Sequence, residues 1–444
     1  MRAVVYRGPN DLRLEKVPVP RIGSNELLVK VAVCGVCPTD IKKIQYGTLP
    51  PPRIFGHETA GVIVRRGAQV RRFQVGERVA LHHHVPCLKC HDCAHRAFSQ
   101  CAQYKRTGIT AGFEPAGGGY AEYVRVMPWV LPGVVKIPQR NSFFEGAMLE
   151  PVNTVLKAVK RLALLRGDTV LVAGQGPIGL MFTRLLALQG MKVVATDRLT
   201  SRLQLAREFG AKWTWEVASN PKSEDREAIA KVGLSGICSS VPPHPALSLG
   251  EREHHRQRIR QPEPLGVVAK RSMALPLPEG RGEGARALER AGGGSFAIGS
   301  RNPKFKVQSS RFKVSSLSQL TNHLTQSRGL DAAIIAVPSD EVVCEAQQLV
   351  RGGGQVLLFS HTRRGEHTSL DLATICADEK DLIGSYSADF TLQDEVARLV
   401  FSRKLDVRRL ITHQFPLEQT AEAIALAARP ADASLKVVVS QADK

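Results

Sequence analysis

A thiol, an imidazole and a carboxylate lie close together early in the chain, at Cys37, His57 and Glu58. Cys37 begins a run that continues through Thr39 to Asp40, and His57 and Glu58 follow a proline-rich bend. Thiolate, imidazole and carboxylate form a ligand set that zinc accepts in catalytic sites, where one coordination position stays open. The sequence therefore predicts a zinc site with Lewis-acid chemistry. A small buried cysteine beside an ordinary polar pair is the alternative interpretation.

Three further residues could serve such a site. Asp40 can accept the free ring N–H of His57 and so fix the tautomer of the imidazole. Thr39 would place a hydroxyl near the metal, from where it could pass a proton outward. Glu150 precedes a predicted helix, Val152 to Leu165, so its carboxylate could approach the metal or its water, or could simply favour the positive helix N-terminus.

A second set of candidate ligands consists of four cysteines at gaps of two, two and seven residues, namely Cys87, Cys90, Cys93 and Cys101. Four thiolates close a tetrahedral shell, so this pattern predicts a structural zinc that pins a loop without an open position. An iron–sulfur cluster is the competing interpretation. It is less consistent with the sequence, because the last gap is long and Ala102, not proline, follows Cys101.

The other cysteines and histidines give weaker signals. Cys34 and Cys37 spell Cys-x-x-Cys but lack the βαβ pattern of a dithiol redox domain, so we expect Cys34 to be a packed residue. We also expect the isolated cysteines to be packed residues, namely Cys238, Cys344 and Cys376. The histidines near the four-cysteine motif are expected at surface or strand positions, namely His82, His83, His84 and His91.

A glycine-rich turn predicts a dinucleotide-binding site. It lies between the apolar strand Thr169–Ala173 and a helix from Leu180, and its residues are Gly174, Gln175, Gly176, Pro177, Ile178 and Gly179. Such glycines permit a tight turn and let a pyrophosphate approach the helix N-terminus. Asp197, after a second strand, can bind the ribose hydroxyls and repel a 2′-phosphate, which favours NAD over NADP. The nearby Arg198 and Arg202 weaken this preference.

The spacing of apolar runs predicts the fold class. Short strands broken by glycine and proline fill the first 140 residues, so this part is β-rich. Strands at 330–337 and 354–359, joined by a helix at 339–349, continue the βα alternation that starts at residue 169. Such alternation predicts a parallel sheet, so the chain is expected to be an α/β protein with a Rossmann doubly wound sheet and a β-rich domain.

The bulk composition narrows the class of protein. At 444 residues the chain is too long for one core, and 43% hydrophobic residues with 5% aromatic ones describe a globular protein. The sequence contains no run of eighteen apolar residues, so no membrane-spanning helix is predicted. The apolar stretch at the start of the sequence is too short and too polar for a signal peptide, so a cytoplasmic protein is expected. In such a protein, clustered cysteines indicate metal binding and not disulfides.

One segment, residues 236–316, lacks any periodicity and is rich in proline, glycine and arginine. It contains fourteen Lys or Arg against six Glu and no Asp, so eight of the +20 net charges fall within it. We interpret it as a disordered insertion, since helical patterns at 224–232 and 318–324 flank it. A basic nucleic-acid-binding arm is a less favoured alternative, because aromatic interleaving and helical phase are missing.

Taken together, these motifs resemble the zinc-dependent medium-chain alcohol dehydrogenases, in particular the polyol and threonine dehydrogenase branch. The resemblance implies a GroES-like catalytic domain, about 1–151 and 387–444, around a coenzyme domain, about 152–386. It implies hydride transfer from a secondary alcohol, polyol or hydroxy amino acid to NAD. It also implies one catalytic and one structural zinc, a small-molecule alcohol substrate, and a homo-dimer or homo-tetramer without a membrane partner.

The resemblance also implies roles for single residues. Cys37, His57 and Glu58 would ligate the catalytic zinc, Glu150 would contact the metal or its water, and Thr39 would begin a proton relay. Arg202 matches the ribose-side arginine of this branch. Lys42 stands where these enzymes commonly place a relay histidine, and Pro38 replaces a commoner glycine. A lysine of ordinary pKa is a poor proton shuttle at neutral pH, so a catalytically impaired family member is the alternative function.

Overall fold

The structure, a computed structural model, describes residues 1–82, 85–102, 117–217, 316–360, 365, 367–431 and 433–441. These residues fall within one compact unit, Met1–Ser219 with Val314–Lys444. The predicted insertion lies outside the described residues except for Ser316, and so do Cys238, His83 and His84. Ser316 accepts a hydrogen bond from the backbone of Gln319 and N-caps a helix, so the insertion was predicted to end too late.

The described residues form sixteen strands and eleven α-helices. The strands are β1 Arg2–Gly8, β2 Asp11–Lys16, β3 Leu27–Gly35, β4 Arg53–Ile54, β5 Glu58–Arg66, β6 Arg78–Leu81, β7 Tyr123–Val126, β8 Val135–Lys136, β9 Thr169–Ala173, β10 Lys192–Asp197, β11 Trp213–Glu216, β12 Leu330–Ile335, β13 Val350–Leu358, β14 Asp381–Gly384, β15 Ile411–Pro416 and β16 Lys436–Ser440. The helices are α1 Pro38–Tyr46, α2 His91–Ala94, α3 Phe143–Ala147, α4 Leu149–Val159, α5 Pro177–Leu188, α6 Thr200–Glu208, α7 Leu317–Thr325, α8 Asp340–Leu349, α9 Leu372–Ala377, α10 Gln393–Phe401 and α11 Thr420–Ala428.

A six-stranded sheet has the order β11-β10-β9-β12-β13-β14. Every neighbouring pair is parallel. Numbered within the sheet, this is the order 3-2-1-4-5-6 of the doubly wound dinucleotide-binding fold, with a change of direction between β9 and β12. These two central strands are buried along their whole length, as expected where helices cover both faces. The predicted parallel sheet is confirmed.

A seven-stranded mixed sheet has the order β15-β16-β3-β5-β6-β8, with β7 paired to β3. A smaller sheet, β2-β1-β4, completes the β-rich part. Strands from the end of the chain, β15 and β16, therefore lie in the same sheet as strands from its first 140 residues. This confirms the predicted fold class, whereas the exact domain boundaries stay predictions.

Helix α4 links the two larger sheets. It shares one hydrophobic core with α5, to which Val152 and Val155 contribute from α4 and Leu180 and Phe182 from α5. The predicted helix at 152–165 had wrong limits. The helix starts at Leu149, because Pro151 is tolerated in a first turn, and it ends at Val159.

The early end of α4 coincides with a contact to a distant strand. The backbone N–H of Ala163 donates to Gln355 Oε1 on β13 at 2.6 Å, instead of to a helical carbonyl. Among the described residues, no helix has both the length and the apolar character needed to cross a membrane.

Candidate metal centres and dinucleotide site

Three strand ends meet at the first candidate site. In the antiparallel pairing of β3 with β5, Gly35 lies opposite Glu58. In the antiparallel pairing of β16 with β3, Val438 lies opposite the same glycine. Cys37, just beyond the end of β3, therefore lies beside Glu58 at the start of β5 and near Lys436 at the start of β16. The register of two strand pairs thus assembles side chains that are far apart in the sequence.

The predicted ligands come together. One ligand atom each from Cys37, His57 and Glu58 lies within 4.8 Å of the others, close enough to hold one metal ion. His57 is 6% exposed and Glu58 1% exposed, whereas Cys37 is only partly buried. Cys37 is the N-cap of α1, and Pro38 occupies the first helical turn. A proline at that position lacks only an N–H that would have no helical partner, so the replacement of glycine there is tolerated.

Asp40 lies beside His57, as its predicted role requires. Its Oδ2 lies 3.0 Å from His57 Nδ1 and accepts the backbone N–H of Gly56 at 3.1 Å. Burial opposes ionisation of Asp40, but His57 holds the pKa of this carboxyl below its ordinary value. Burial also disfavours a charged His57, yet Asp40 and Cys37 raise the pKa of the imidazole well above its usual value. The surroundings of His57 are therefore negative, and such surroundings also favour a divalent cation.

Lys436 is a residue of this site that the sequence did not reveal. Its Nζ lies 2.6 Å from Glu58 Oε1 and 2.5 Å from Oε2, and it donates to the carbonyl of Val36 at 2.9 Å. Lys436 is 5% exposed. Burial opposes its charge, but Glu58 and Cys37 raise the pKa of the amine above its ordinary value. In the sequence, the only sign of this role is that a lysine begins the last apolar strand.

Glu150 faces the same cluster from the first turn of α4. Burial and the charge of Glu58 raise the pKa of Glu150 to about 7, against the opposing effects of His57 and Lys436. These mutual effects require proximity, so they favour a place beside the metal ligands over a purely helix-capping role. Whether Glu150 touches the metal or its water remains a prediction.

Thr39 and Lys42 both lie on α1 and are partly exposed. Helix α1 starts immediately after Cys37, so Thr39 lies in its first turn and Lys42 in the next one. The proposed relay roles of Thr39 and Lys42 remain predictions.

The four cysteines form a second cluster, with one ligand atom of each within 4.8 Å of the others. Cys93 Sγ lies 3.5 Å from Cys90 Sγ and 3.9 Å from Cys87 Sγ. Thiolates that share one tetrahedral zinc at about 2.3 Å lie about 3.8 Å apart. In a cubane iron–sulfur cluster each thiolate binds a different iron, which spreads the sulfurs further. The spacing therefore fits a single ion.

The remaining histidines and cysteines of the described chain lie outside both clusters, but the expectation that the isolated cysteines are packed was wrong for Cys376, which is exposed. His82 is completely buried, and burial lowers the pKa of its ring to about 4, so it packs as a neutral side chain. His91 is exposed and stacks on His95. Cys34 is completely buried, and burial raises the pKa of its thiol to about 12. A thiol that keeps its proton is not a redox nucleophile.

The glycine turn joins β9 to α5 at the carboxyl edge of the parallel sheet. Gly174 has φ +91°, which favours glycine, and a Cβ on Gly179 would lie 1.7 Å from the carbonyl oxygen of Gly174. A Cβ on Gly176 would meet nothing within 4 Å, so the turn faces open space there. Pro177 and Ile178 form the first turn of α5. The arrangement fits the predicted pyrophosphate site at a helix N-terminus.

Asp197 ends β10 beside this turn. Its Oδ2 accepts the backbone N–H of Gln175 at 2.6 Å, and its Oδ1 accepts that of Leu199 at 3.0 Å. Arg202 Nη1 lies 4.0 Å from Asp197 Oδ2, and Arg202 Nη2 donates to the carbonyl of Ser434 at 3.1 Å. The predicted ribose-side residues are therefore adjacent, and their contact with a nucleotide remains a prediction.

The chain is similar to known dehydrogenases. Residues 23–139 match the Alcohol dehydrogenase GroES-like domain. The sorbitol dehydrogenase of Bombyx mori is 33% identical over 215 residues, 47% of this chain and 60% of that protein. The sorbitol dehydrogenase of Ovis aries is 33% identical over 253 residues, 54% of this chain and 66% of that protein. The chain thus matches about 60% to 66% of the length of these curated relatives.

The fold has a solved counterpart. An alcohol dehydrogenase from Thermotoga maritima has a TM-score of 0.71 at 18% identity, covering 99% of this chain and 99% of that chain. The architecture is thus that of a GroES-like domain with a doubly wound dinucleotide-binding sheet. In its matched domain, its fold and its sorbitol dehydrogenase relatives, the chain is similar to the zinc-dependent medium-chain alcohol dehydrogenases.

Proposed function

We propose that this protein is a zinc-dependent oxidoreductase that transfers hydride from a secondary alcohol, polyol or hydroxy amino acid to NAD. The products are the ketone, NADH and a released proton. One observation carries this proposal: the cluster of Cys37, His57 and Glu58 occurs in a chain whose α4 and α5 share a core. Helix α4 begins at the metal ligands and α5 at the glycine turn, so packing of the two helices relates the two sites.

The cofactors define the chemistry. When bound, zinc would act as a Lewis acid that lowers the pKa of an alcohol, and a nicotinamide would accept hydride. Cys37, His57 and Glu58 would hold the zinc, and Asp40 would keep His57 in the tautomer that leaves Nε2 free to ligate. Glu150, whose pKa is about 7, is suited to holding or releasing a proton near the site.

The four-cysteine cluster supports a second zinc. Its four sulfurs would complete a tetrahedral shell and leave no position for a substrate, so this ion would be structural. Phe98, between the third and fourth cysteine, packs edge to face on Phe390 with ring centroids 5.5 Å apart. The lobe is therefore held against the segment that precedes α10.

A preference for NAD over NADP rests on Asp197. Its carboxylate is fixed by two backbone N–H groups and would repel a 2′-phosphate at the ribose. Arg202 does not reverse this effect, because it lies on the carboxylate and on the carbonyl of Ser434. Polyols are the first substrates to test, since the relatives are sorbitol dehydrogenases. Assembly into a dimer or tetramer is a further proposal that light scattering would test.

The test combines metal analysis with a substrate screen. We expect about two zinc ions per chain. We also expect NAD reduction with sorbitol, xylitol, threonine or simple secondary alcohols. Cys37→Ser should lower zinc content by about one and abolish the reduction, while Cys376→Ser, at an exposed cysteine outside both clusters, should change neither.

Two results would argue against this function. Wild-type protein that holds zinc only at the four cysteines would exclude the proposed catalytic centre. Protein that holds both ions but reduces neither NAD nor NADP with any of these alcohols would instead support the catalytically impaired alternative.

A further inference from the structure

A lysine from the last strand of the fold is enclosed by the candidate catalytic site. Lys436 Nζ donates to Glu58 Oε1 and to the carbonyl of Val36, and it lies 2.5 Å from Glu58 Oε2. Its charge also acts on Glu150, whose pKa it lowers against the larger effect of burial. This buried cation therefore acts on both carboxylates of the site.

Gly35 provides the space for this ion pair. A Cβ at that position would lie 1.8 Å from Glu58 Oε2 and 3.0 Å from Lys436 Cε. Gly35 is the last residue of β3, and its φ is outside the left-handed region, so its backbone does not require glycine. The absence of a side chain at Gly35 leaves room for the Glu58 carboxylate and the Lys436 side chain, which cross above it.

We propose that Lys436 is a positioning residue that fixes the Glu58 carboxylate above Gly35 and thereby determines how Glu58 reaches the catalytic zinc. This inference rests on the proposed zinc site at Cys37 and His57. A carboxylate without such a partner can rotate and bind a metal through either oxygen or through both. With Oε1 hydrogen-bonded to Lys436 and Oε2 only 2.5 Å from the same ammonium group, the carboxylate has fewer orientations in which it can bind a metal.

The position of Lys436 is itself well defined. Two residues earlier, the carbonyl of Ser434 accepts a hydrogen bond from Arg202, which faces Asp197. Two residues later, Val438 is paired with Gly35 in the sheet. The short segment 434–438 is therefore fixed at the dinucleotide site on one side and at the metal site on the other.

The test replaces Lys436 with methionine in the full-length chain, which keeps the length of the side chain and removes its charge. Zinc affinity is measured by competition with a chromophoric chelator, and ligand geometry by the visible absorption of Co²⁺ bound in place of zinc. We expect zinc at one of the two sites to bind about 10- to 100-fold more weakly, as is typical when a partner of a ligand is lost. The Co²⁺ bands of that site should shift, and Lys436→Arg should restore much of the affinity.

Lys380→Met is the matched control. Lys380 is 8% exposed, donates to the carbonyl of Gln347 at 3.0 Å and lies 3.1 Å from Asp378. It is thus another buried lysine with a carbonyl and a carboxylate partner, but it touches neither metal cluster. This variant should bind Co²⁺ with the wild-type spectrum and zinc with the wild-type affinity.

Gly35→Ala tests the same inference with Lys436 intact, and it remains informative if Lys436→Met fails to fold. The new methyl group must displace the end of the Glu58 side chain, which is flexible, so the sheet is expected to persist. A shifted Co²⁺ spectrum with weaker zinc binding supports the positioning role.

Wild-type affinity and spectrum in Gly35→Ala, or in a folded Lys436→Met, would overturn the positioning role. The proposed function would stand if that variant still bound two metals and reduced NAD. If the wild-type protein binds no metal at Cys37, both the positioning role and the proposed function fail.

Discussion

At the scale of single residues, the protonation of Glu150 depends on what surrounds it. Burial raises its pKa to about 7, so the metal-free folded chain holds a proton that the unfolded chain releases near its ordinary pKa of 4.5. Stability from this proton is complete below the unfolded value and is lost as the pH rises through the folded value. Glu150 is therefore expected to destabilise the metal-free protein at pH 8 relative to pH 5.

Glu150→Gln should remove this dependence. In protein stripped of metal by a chelator, we expect the variant to be more stable than wild type at pH 8, and the difference to shrink towards pH 5. Thermal unfolding of both proteins across this pH range measures the effect. A constant difference in melting temperature at all pH values would show that Glu150 does not titrate there.

Asp197 is expected to determine the choice of dinucleotide. Asp197→Asn keeps an oxygen that can accept the N–H of Gln175 but removes the negative charge. Loss of repulsion towards a 2′-phosphate should lower the ratio of kcat/KM for NAD to that for NADP by about tenfold, corresponding to about 1.4 kcal/mol.

The control for this prediction is a substitution on α6, the helix that follows Asp197. Arg207→Gln removes a side chain that donates to Thr214 Oγ1 and has no contact with Asp197. It should leave the NAD to NADP ratio unchanged. An unchanged ratio in Asp197→Asn would mean that another feature sets the preference.

At the scale of elements, the four-cysteine lobe is expected to depend on its metal. The lobe contains only a short helix, α2, and its small core consists of the cysteines with Phe98 and Phe390. Cys90→Ser should remove one zinc per chain and lower the melting temperature on the order of 5 to 10 °C, because metal binding replaces a larger core.

Metal analysis and thermal unfolding measure this effect, and Cys376→Ser provides the comparison at an exposed cysteine of α9. The zinc held by Cys37 and His57 should remain in both variants. Retention of two zinc ions in Cys90→Ser would contradict the proposed tetrahedral site.

The element that carries Glu150 also contacts the segment beside the lobe. Asn153, on α4, donates to the carbonyl of Asp389 and to Gln393 Oε1, each at 2.9 Å. Phe390, between those two residues, packs on Phe98 of the lobe. The structural cluster and the helix at the candidate catalytic site are thus connected by direct contacts, which gives the lobe a role in holding α4.

At the scale of the whole molecule, residues 236–316 are expected to be dispensable. All six strands of the parallel sheet lie outside this range, with β11 ending at Glu216 and α7 beginning at Leu317. A variant lacking residues 236–314, which keeps the Ser316 cap of α7, should retain NAD reduction within about twofold of wild type, because long surface insertions change loop entropy only slightly.

The deletion variant and wild type are compared in the same alcohol assay and by thermal unfolding. Complete loss of activity in a folded deletion variant would show a structural role for the segment that its composition does not reveal. The shorter chain should also bind nucleic acid no better than wild type. The deleted residues carry eight of the twenty net positive charges, and phosphate binding depends on such charges.

The sequence by itself determined the local chemistry of this protein. Ligand types at Cys37 and His57, four closely spaced cysteines and a glycine turn followed by Asp197 are local patterns, since each is read within a few tens of residues. The parallel sheet followed from βα alternation for the same reason. Helix limits were less accurate, because Gln355 on a distant strand ends α4 early.

Only the tertiary structure decided which distant residues complete the candidate metal site. Lys436 is separated from Glu58 by 378 residues and reaches it because β16 pairs with β3. A strand register is set by the whole sheet and leaves no local mark on either partner. For the same reason, Gly35 appeared as an ordinary strand residue until the structure placed a carboxylate and a lysine where its side chain would be.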